Sequence, residues 1–356
     1  MNKNMKFDFD DLVIVPAPVS SIESRSEVKT FDKNDMLPIF AAPMDTVVND
    51  KNKDMFIKNK IYTISNRTEG KIYSKDEFNW CAVGFNEFED NYLKKDIRQY
   101  GEKDTYYVLI DVANGHQKKL HDFVKLSKEK YGNQLILMVG NIANPETYKI
   151  LSEHGVDYIR VGIGGGSGCL TSVQTSVGQA LASLIRECYE ISCMLNNPAK
   201  IVADGGIRSY SDIIKSLAMG ADYCMCGGIF NKCLESCADT YKQNKKHDWG
   251  TEPGEIVDQY SEQTKNAFEY GTQFFKKFRG MSTKEVQKSL GNNVLKTSEG
   301  ITRMNPVEYT LEGWVDNFKH YLSSAMSYTN KTDLKDFIGQ VKYNMITQNA
   351  FKRFNK

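Results

Sequence analysis

The sequence lacks an excess of charge of either sign. Its 46 lysines and arginines stand against 45 aspartates and glutamates, a formal net charge of +1 at pH 7. This balance gives no broad positive field that would favour nucleic acid or an anionic membrane surface. No apolar run approaches the length of a membrane span, and residues 1–11 lack the apolar stretch of a secretory signal. We therefore expect a soluble, cytoplasmic protein without nucleic-acid or membrane partners, which holds any bound phosphate by local geometry.

The chain also lacks a dense set of cysteines. Its eight cysteines lack the density of a disulfide scaffold, so reduced thiols are expected. Cys224 and Cys226 lie in a strand-like run in which alternate residues share a face, and Cys233 and Cys237 have the i,i+4 spacing of a helix. These four residues are also of the type that binds zinc. Packing explains both spacings, so it is the favoured interpretation.

Internal repeats and low-complexity tracts are absent from the sequence. Short β-type runs alternate with longer segments of helical pattern, and apolar residues at spacings of four and three predict a helix between Val177 and Ile191. Eight such alternations favour a single closed (β/α)8 barrel domain over residues 1–356, rather than an open doubly wound sheet. The predicted strands are Leu37–Ala41, Ile61–Ile64, Trp80–Val83, Tyr106–Ile110, Leu135–Val139, Tyr158–Val161, Lys200–Ala203 and Tyr223–Cys226.

Two segments are predicted to be additions to this barrel. Residues 1–36 form an amino-terminal arm, and the alternation within residues 9–16 predicts a small hairpin outside the barrel. Residues 231–275 are polar and charged, which predicts an inserted surface excursion after the eighth strand. A flap over the site is one interpretation of this insertion. A solvated segment without catalytic consequence is the favoured interpretation for most of it.

A glycine-rich turn follows the sixth predicted strand and ends at Cys169. It contains glycine at positions 162, 164, 165, 166 and 168, and such residues allow a ligand to approach the backbone closely. The turn lies at the carboxyl end of its strand, where (β/α)8 enzymes carry their active sites. A glycine-rich connection with an incidental thiol is the alternative, and the neighbouring loops decide between the two.

Loops after three other predicted strands carry residues suited to a nucleotide. Asp204-Gly-Gly206 follows the seventh strand and Gly227-Gly228 the eighth, where (β/α)8 barrels commonly bind phosphate through backbone amides. A carboxylate such as Asp204 can accept hydrogen bonds from both ribose hydroxyls. Taken singly, Asp-Gly-Gly is more often a turn, and Asp111 after the fourth strand is also suited to capping a helix. Combined with Ser167 in the cysteine loop, these residues favour a nucleotide site.

With these residues the chain resembles the IMP dehydrogenase and GMP reductase family. The resemblance covers most of residues 7–230 and about 274–340, and its motifs occur in the order of the family. The matching segments are Phe9-Asp-Asp-Leu-Val-Ile-Val-Pro16, Ser24-Arg-Ser-Glu-Val28, Ala42-Pro-Met-Asp-Thr46, Asp111-Val-Ala-Asn-Gly115, Gly140-Asn141, the Cys169 loop, Asp204-Gly-Gly206, Gly227-Gly228, Arg279-Gly-Met-Ser282 and Ser298-Glu-Gly300.

Three features favour the reductase branch of this family. The dehydrogenases usually insert a pair of CBS domains in the barrel, and the chain has no room for them between its second and fourth predicted strands. They also activate water with an Arg-Tyr pair on a flap, and residues 282–305 contain no such pair. The segments Asp111-Val-Ala-Asn-Gly115 and Ser298-Glu-Gly300 are typical of reductases. The resemblance therefore implies NADPH-dependent reductive deamination of GMP to IMP and ammonia.

The resemblance also implies a role for each matching residue. Cys169 would be the nucleophile that forms a thioimidate with C2 of guanine, and Glu299 would act through Thr171 to protonate the leaving amine. A monovalent cation such as potassium is implied at the carbonyls of Gly164, Gly166 and Cys169, because hard cations prefer oxygen ligands. The family also suggests a homotetramer. The residues implied to bind the nucleotide are Ser167, Asp204, Gly205, Gly206, Gly227, Gly228, Gly280, Met281, Ser282, Lys296, Ser298 and Gly300. Those implied to bind NADPH are Ser24, Arg25, Arg67, Asp111, Val112, Ala113, Ile163, Gly164 and Ser324.

The sequence departs from the family at several positions near the predicted site. Gly165 stands where the family has the proline of Gly-Pro-Gly-Ser, and glycine leaves the loop less constrained than proline does. Ser172 and Lys296 stand where arginine is usual, so planar bidentate contacts are lost there. The His-Lys-His of the family is Asn66-Arg67-Thr68, which leaves Arg67 as the cation facing the cofactor.

Plainer interpretations of three of these residues stay open. Glu299 is also suited to be a solvated loop carboxylate, Thr171 a helix-capping hydroxyl, and Arg25 an exposed surface charge. The departures leave open another purine nucleotide as substrate, or oxidation of IMP with NAD as in the dehydrogenases. They also leave open a catalytically silent purine-nucleotide-binding barrel, in which Cys169 would be dispensable.

Overall fold

Parallel strands form the centre of the molecule. The computed structural model describes residues 5–166, 168–243, 254–281, 283–290 and 300–354. Eight of the strands in these ranges form one parallel sheet in the order β2-β9-β8-β7-β6-β5-β4-β3. In chain order the strands are β1 (Leu12–Ile14), β2 (Ile39–Ala41), β3 (Thr63–Ser65), β4 (Asn79–Val83), β5 (Tyr106–Asp111), β6 (Leu135–Ile142), β7 (Tyr158–Val161), β8 (Lys200–Asp204), β9 (Tyr223–Cys226), β10 (Thr240–Lys242), β11 (Ile256–Val257), β12 (Phe274–Arg279), β13 (Thr302–Pro306) and β14 (Tyr343–Met345).

The parallel sheet closes into a barrel between β2 and β3. Phe40 and Tyr62 form a parallel bridge there. Ala41 N donates to Tyr62 O at 2.8 Å, and Tyr62 N donates to Ile39 O at 3.1 Å. Strands β2 to β9 are the eight predicted strands, so the (β/α)8 barrel is confirmed. Their continuous apolar runs were readable because a parallel strand in a barrel is buried on both faces.

Helices alternate with the barrel strands. They are α1 (Lys53–Lys58), α2 (Phe85–Phe88), α3 (Lys118–Tyr131), α4 (Pro145–Glu153), α5 (Thr171–Thr175), α6 (Leu181–Ser192), α7 (Tyr210–Met219), α8 (Gly228–Asn231), α9 (Glu262–Glu269), α10 (Lys284–Ser289), α11 (Leu311–Tyr328), α12 (Leu334–Phe337) and α13 (Gln348–Phe354). The helix predicted from Val177 begins later, at Leu181, and Val177 is exposed. Leu181, Leu184 and Cys188 form its buried stripe as predicted. No described helix is long and apolar enough to cross a membrane.

Aromatic side chains fill the amino-terminal end of the barrel interior. The ring of Phe40 stacks on that of Tyr62 with centroids 4.9 Å apart, and meets the ring of Tyr223 at 5.4 Å. Asp32, on the arm before β2, accepts hydrogen bonds from the hydroxyls of Tyr62 at 2.6 Å and Tyr223 at 3.0 Å. Burial raises the pKa of both tyrosines, so they remain neutral donors. The interior at this end of the barrel is therefore filled by contacting side chains.

The amino-terminal arm forms a strand but not the predicted hairpin. Strand β1 pairs antiparallel with β14, and Leu12 lies opposite Met345. The alternating pattern correctly indicated a strand, yet its partner lies more than three hundred residues away. The prediction of a hairpin was wrong because a strand pattern does not specify a pairing partner.

The segment after β9 contributes to a small antiparallel sheet. Its strand order is β11-β10-β12-β13, and Leu234, Phe274 and Val307 form an apolar cluster against it. Lys276 in β12 is fully buried, and its Nζ donates to Ser236 O and Thr240 Oγ1 at 2.7 Å each. The prediction of a solvated excursion is therefore wrong for the part near the barrel. Buried and half-buried residues alternate along β12, and a lysine is among the buried ones, so composition alone did not indicate this strand.

The cysteine spacings are explained by packing in two different ways. Cys224 and Cys226 are buried in β9 and face the same apolar layer, as predicted. Cys233 and Cys237 do not lie on a helix: Cys233 forms a bridge with Tyr309, and the chain continues in turns. The prediction of a helix there was wrong. The residues that the structure describes contain no cluster of metal-ligating side chains.

Candidate active site

A cavity of about 280 Å³ lies at the carboxyl end of the barrel strands. Loops after six strands of the barrel contribute to its wall, together with Asn141 within β6, the end of β12 and helix α10. The residues predicted for the site that line it are Arg67, Asp111, Val112, Ala113, Ile163, Gly164, Gly166, Cys169, Thr171, Asp204, Gly205, Gly206, Gly227, Gly228, Gly280 and Met281. The structure thus brings together predicted nucleotide-binding and cofactor-binding residues in one cavity.

Cys169 lies on the wall of this cavity beside Thr171. Its Sγ donates a hydrogen bond to Thr171 Oγ1 at 3.2 Å, and the thiol is partly exposed. The backbone of Cys169 donates to Gly166 O at 2.9 Å, which closes a tight turn. A thiol and a hydroxyl on the wall of the cavity are therefore in contact.

The loop that carries Cys169 contacts the residues just after β12 and just before β13. Cys169 bridges antiparallel to Gly300, and Ile301 N donates to Gly168 O at 3.2 Å. A Cβ on Gly168 would lie 3.2 Å from the Cα of Gly280, and a Cβ on Gly280 would lie 2.4 Å from Gly168 O. Two glycines face each other here because the backbones approach too closely for side chains.

A buried arginine connects two carboxylates in the floor of the cavity. Arg160 Nη1 donates to Asp111 Oδ1 at 2.6 Å, and its Nη2 and Nε donate to Asp204 Oδ2 at 2.7 and 3.2 Å. Asn141 Nδ2 donates to the same Asp204 oxygen at 2.7 Å. Burial alone would lower the pKa of Arg160, but Asp204 and Asp111 outweigh it and raise that pKa above its usual value. The guanidinium is therefore permanently charged.

Sequence reasoning missed Arg160 and Asn141 as site residues. Arg160 lies between Ile159 and Val161, and the pattern around it predicts a buried apolar strand. A charged residue in the middle of a strand buried on both faces requires a partner, and that was the available indication. Met44, Phe278 and Gln287 also line the cavity and were not predicted.

Glycine backbones form the side of the cavity predicted to hold phosphate. Gly205 and Gly206 have φ of +90° and +74°, a region that disfavours other residues. A Cβ on Gly205 would lie 3.1 Å from the backbone nitrogen of Gly166, so the two loops touch through their main chains. Gly227 and Gly228 line the same cavity. This wall therefore offers backbone groups to a ligand.

The loop after β5 is fastened to the loop after β6 by His116. Ala143 N donates to His116 Nε2 at 3.0 Å, so the ring proton lies on Nδ1, 2.8 Å from Thr147 Oγ1. Burial lowers the pKa of His116 from its usual value of 6.5. Neutral His116 thus fixes the chain just after Asp111, Val112 and Ala113.

Two departures from the family have visible consequences. Ser172, which stands where arginine is usual, donates from its Oγ to Gly164 O at 2.9 Å, a contact within the loop. Arg67 lines the cavity and is paired with Glu87 through its Nη2 at 3.1 Å. Within the described residues, the carbonyls of Gly164 and Gly166 each accept one hydrogen bond, and a carbonyl oxygen has two lone pairs. The oxygen donors present are of the kind that a monovalent cation takes.

Several predicted site residues lie elsewhere. Ser24 caps the turn at Arg25, and both lie on an exposed segment beside α11, which carries Ser324. These three do not line the cavity. Gly300 also lies outside the lining but contacts Cys169. Ser167, Ser282, Lys296, Ser298 and Glu299 lie outside the described residues.

The geometry defines a class of (β/α)8 barrel protein in which a glycine-rich loop presents a cysteine to a nucleotide-sized cavity. A model of the IMP dehydrogenase / GMP reductase domain matches residues 74–355, so the chain belongs to this family. Among curated proteins, GMP reductase of Lactobacillus acidophilus is 29% identical over 360 residues, covering 97% of this chain and 96% of that protein. GMP reductase of Staphylococcus carnosus is 29% identical over 359 residues, covering 97% and 98%. GMP reductase of Caenorhabditis elegans is 27% identical over 363 residues, covering 96% and 92%.

Proposed function

We propose that this protein is a GMP reductase that converts GMP to IMP and ammonia with NADPH. The observation that carries the proposal is the contact of Cys169 Sγ with Thr171 Oγ1 at 3.2 Å, on the wall of a cavity also lined by Asp204 and Gly227. Membership of the family and the names of three relatives support it.

The proposed chemistry starts at C2 of guanine. The Cys169 thiolate adds to C2, and the exocyclic amine leaves as ammonia once it is protonated, because an unprotonated amine is a poor leaving group. Glu299, which the family resemblance assigns to this role, delivers that proton through Thr171. The product is a thioimidate between Cys169 and the purine. NADPH, when bound, supplies the hydride that converts C2 to the IMP oxidation state as the thiolate leaves.

The nucleotide is proposed to lie along the glycine-lined wall. Its phosphate would meet the backbone groups of Gly205, Gly206, Gly227 and Gly228 together with Ser167, and its ribose would meet Asp204. The purine would lie between Cys169 and the segment above it. The residues that the family resemblance assigns to nucleotide binding in this part of the chain are Gly280, Met281, Ser282, Lys296, Ser298 and Gly300.

The cofactor is proposed to lie on the opposite wall, where Arg67 adds a positive charge beside the loop after β5. Ser24 and Arg25 on the exposed segment beside α11, and Ser324 within α11, complete the proposed set. The residues proposed for the cofactor within the cavity are Arg67, Asp111, Val112, Ala113, Ile163 and Gly164.

We also propose a homotetramer in the cytoplasm, as the family suggests.

A monovalent cation is proposed at the carbonyls of Gly164, Gly166 and Cys169. Its role would be to order the cysteine loop, which glycine at position 165 leaves without the restraint of proline. Activity measured in potassium against choline salts of equal ionic strength tests this. Equal rates in both salts would contradict it.

The proposed function is tested by following NADPH absorbance and ammonia release with GMP. The matched variants are Cys169→Ala and Cys193→Ala, which remove the proposed nucleophile and an exposed cysteine remote from the cavity. NADPH consumption with release of ammonia, lost only in Cys169→Ala, is the expected result. Formation of NADH from IMP and NAD would indicate a dehydrogenase instead. No turnover with either pair would indicate another purine nucleotide or a silent binding barrel.

A further inference from the structure

Arg160 contacts both halves of the cavity. Its guanidinium holds Asp111 on the wall proposed for the cofactor and Asp204 on the wall proposed for the nucleotide. All three side chains are largely buried: 9% of Arg160, 18% of Asp111 and 16% of Asp204 is exposed. Planar guanidinium groups fix the orientation of carboxylates as well as neutralise them. The two carboxylates therefore share one rigid partner.

The barrel register explains how one side chain reaches across several strands. Asp111 in β5 lies opposite Gly140 in β6, and Gly140 lies opposite Arg160 in β7. A Cβ on Gly140 would lie 2.5 Å from the Cβ of Arg160. The absence of a side chain at position 140 thus lets β6 lie close against Arg160 in β7. The guanidinium of Arg160 reaches over β6 to Asp111, while β8 brings Asp204 to its other side.

The hydrogen-bond pattern leaves one oxygen of each carboxylate for a ligand. Within the described residues, bonds to Asp111 end on Oδ1, and bonds to Asp204 end on Oδ2. Asp111 Oδ2 and Asp204 Oδ1 are therefore available to hydroxyl or amide donors. Without the guanidinium, two negative charges would remain beside a site for anionic phosphates, and each carboxylate would lose its orienting partner.

We propose that Arg160 is a positioning residue that orients Asp204 toward the nucleotide and Asp111 toward the cofactor, so that both subsites depend on one side chain. The proposal rests on the proposed function for the identity of the two ligands. It predicts that a single substitution weakens two chemically different ligands together. A residue that served only the packing of the strand would not have that effect on a protein that remains folded.

The test measures binding of GMP and of NADP⁺ separately by calorimetry, in wild type, Arg160→Met and Arg160→Lys. Arg160→Met is expected to weaken both ligands by about tenfold or more, and Arg160→Lys, which keeps the charge but not the planar geometry, by less. Lys128→Met is the matched control. It breaks a half-buried ion pair with Asp157, 2.8 Å long, between a helix and a loop that do not line the cavity. It is expected to leave both affinities unchanged.

Each outcome has one meaning. The proposal is supported if wild type binds both ligands and Arg160→Met binds both more weakly. In the same variant, KM for each ligand should rise by a larger factor than kcat falls. Unchanged affinities in Arg160→Met, or weakening of only one ligand, overturns it. If thermal melting shows that Arg160→Met does not fold, Arg160→Lys decides by the same criteria. Absence of GMP and NADP⁺ binding in wild type would instead refute the proposed function.

Discussion

The two ends of the barrel each surround an aspartate, and they hold it in opposite ways. At the amino-terminal end, Asp32 accepts bonds from two neutral tyrosines inside a packed aromatic cluster. At the carboxyl end, Asp204 is held by a charged arginine beside a cavity of about 280 Å³. Neutral donors in a filled space stabilise the fold, whereas a charged partner beside an open space orients a group for a ligand. Stability and chemistry are therefore separated along the barrel axis.

The largest effect is expected at the carboxyl end, from Cys169→Ser. The hydroxyl retains a partner in Thr171, but an unactivated hydroxyl is a far weaker nucleophile than a thiolate, so kcat should fall by about 10⁴-fold. The free energy of unfolding should change by less than about 0.5 kcal/mol. Steady-state kinetics and urea denaturation measure the two quantities. A stability loss as large as the catalytic loss would break the separation between the two ends.

The opposite result is expected from Phe40→Ala at the amino-terminal end. Removing a fully buried ring that contacts Tyr62 and Tyr223 should lower the free energy of unfolding by about 3–5 kcal/mol. The kcat of the remaining folded protein should stay within about twofold of wild type. Urea denaturation checks the first value, and kinetics at a temperature where the variant is folded checks the second.

A smaller effect is expected from Asp32→Asn. The amide keeps an acceptor oxygen but loses the charge, so the bonds from Tyr62 and Tyr223 weaken, and the free energy of unfolding should fall by about 1–3 kcal/mol. Denaturation at neutral pH measures this. Arg160→Met offers the complementary comparison, since there the affinities should change. If Asp32→Asn altered ligand affinity, the amino-terminal end would also take part in function.

The smallest effect expected is a pH dependence at His116. Because burial lowers its pKa, the unfolded chain binds a proton near pH 6.5 while the folded chain resists it. Its contribution to stability should be complete above pH 6.5 and be lost as the pH falls below that value. The loss should be at most about 1.4 kcal/mol per pH unit. Urea denaturation from about pH 7.5 to about pH 5.5 should show a steeper decline in wild type than in His116→Gln.

The barrel was readable from the sequence because its strands are short, apolar and bounded by loops that carry glycine and acidic residues. The glycine-rich loop, Asp204 and Cys169 could be assigned to one end for the same reason, since parallel strands share their carboxyl ends. Pairings between distant segments could not be read. Strand β1 pairs with β14. In β12 the side chains of Phe274, Lys276 and Phe278 are buried, although the composition of this strand is typical of a charged surface segment.

Arg160 illustrates why sequence motifs did not indicate the remaining residues of the site. Its function depends on Asp111, Asn141 and Asp204, which lie on three other strands and are adjacent only once the sheet order and register are known. Sequence motifs group neighbours along the chain. A network that crosses the sheet leaves no such grouping, and only the misfit of a charge inside an apolar strand indicates it.

Gly140 and Arg160 bear on how this family can change during evolution. The Cβ, the carbonyl oxygen and the Cα of Arg160 occupy the space that a Cβ at position 140 would need. A residue larger than glycine at position 140 is therefore unfavourable whichever side chain position 160 carries, whereas replacing the arginine leaves two carboxylates without their shared cation. Position 140 is thus expected to remain glycine even in relatives that have lost the arginine, and the arginine is expected to change only together with one of its carboxylate partners.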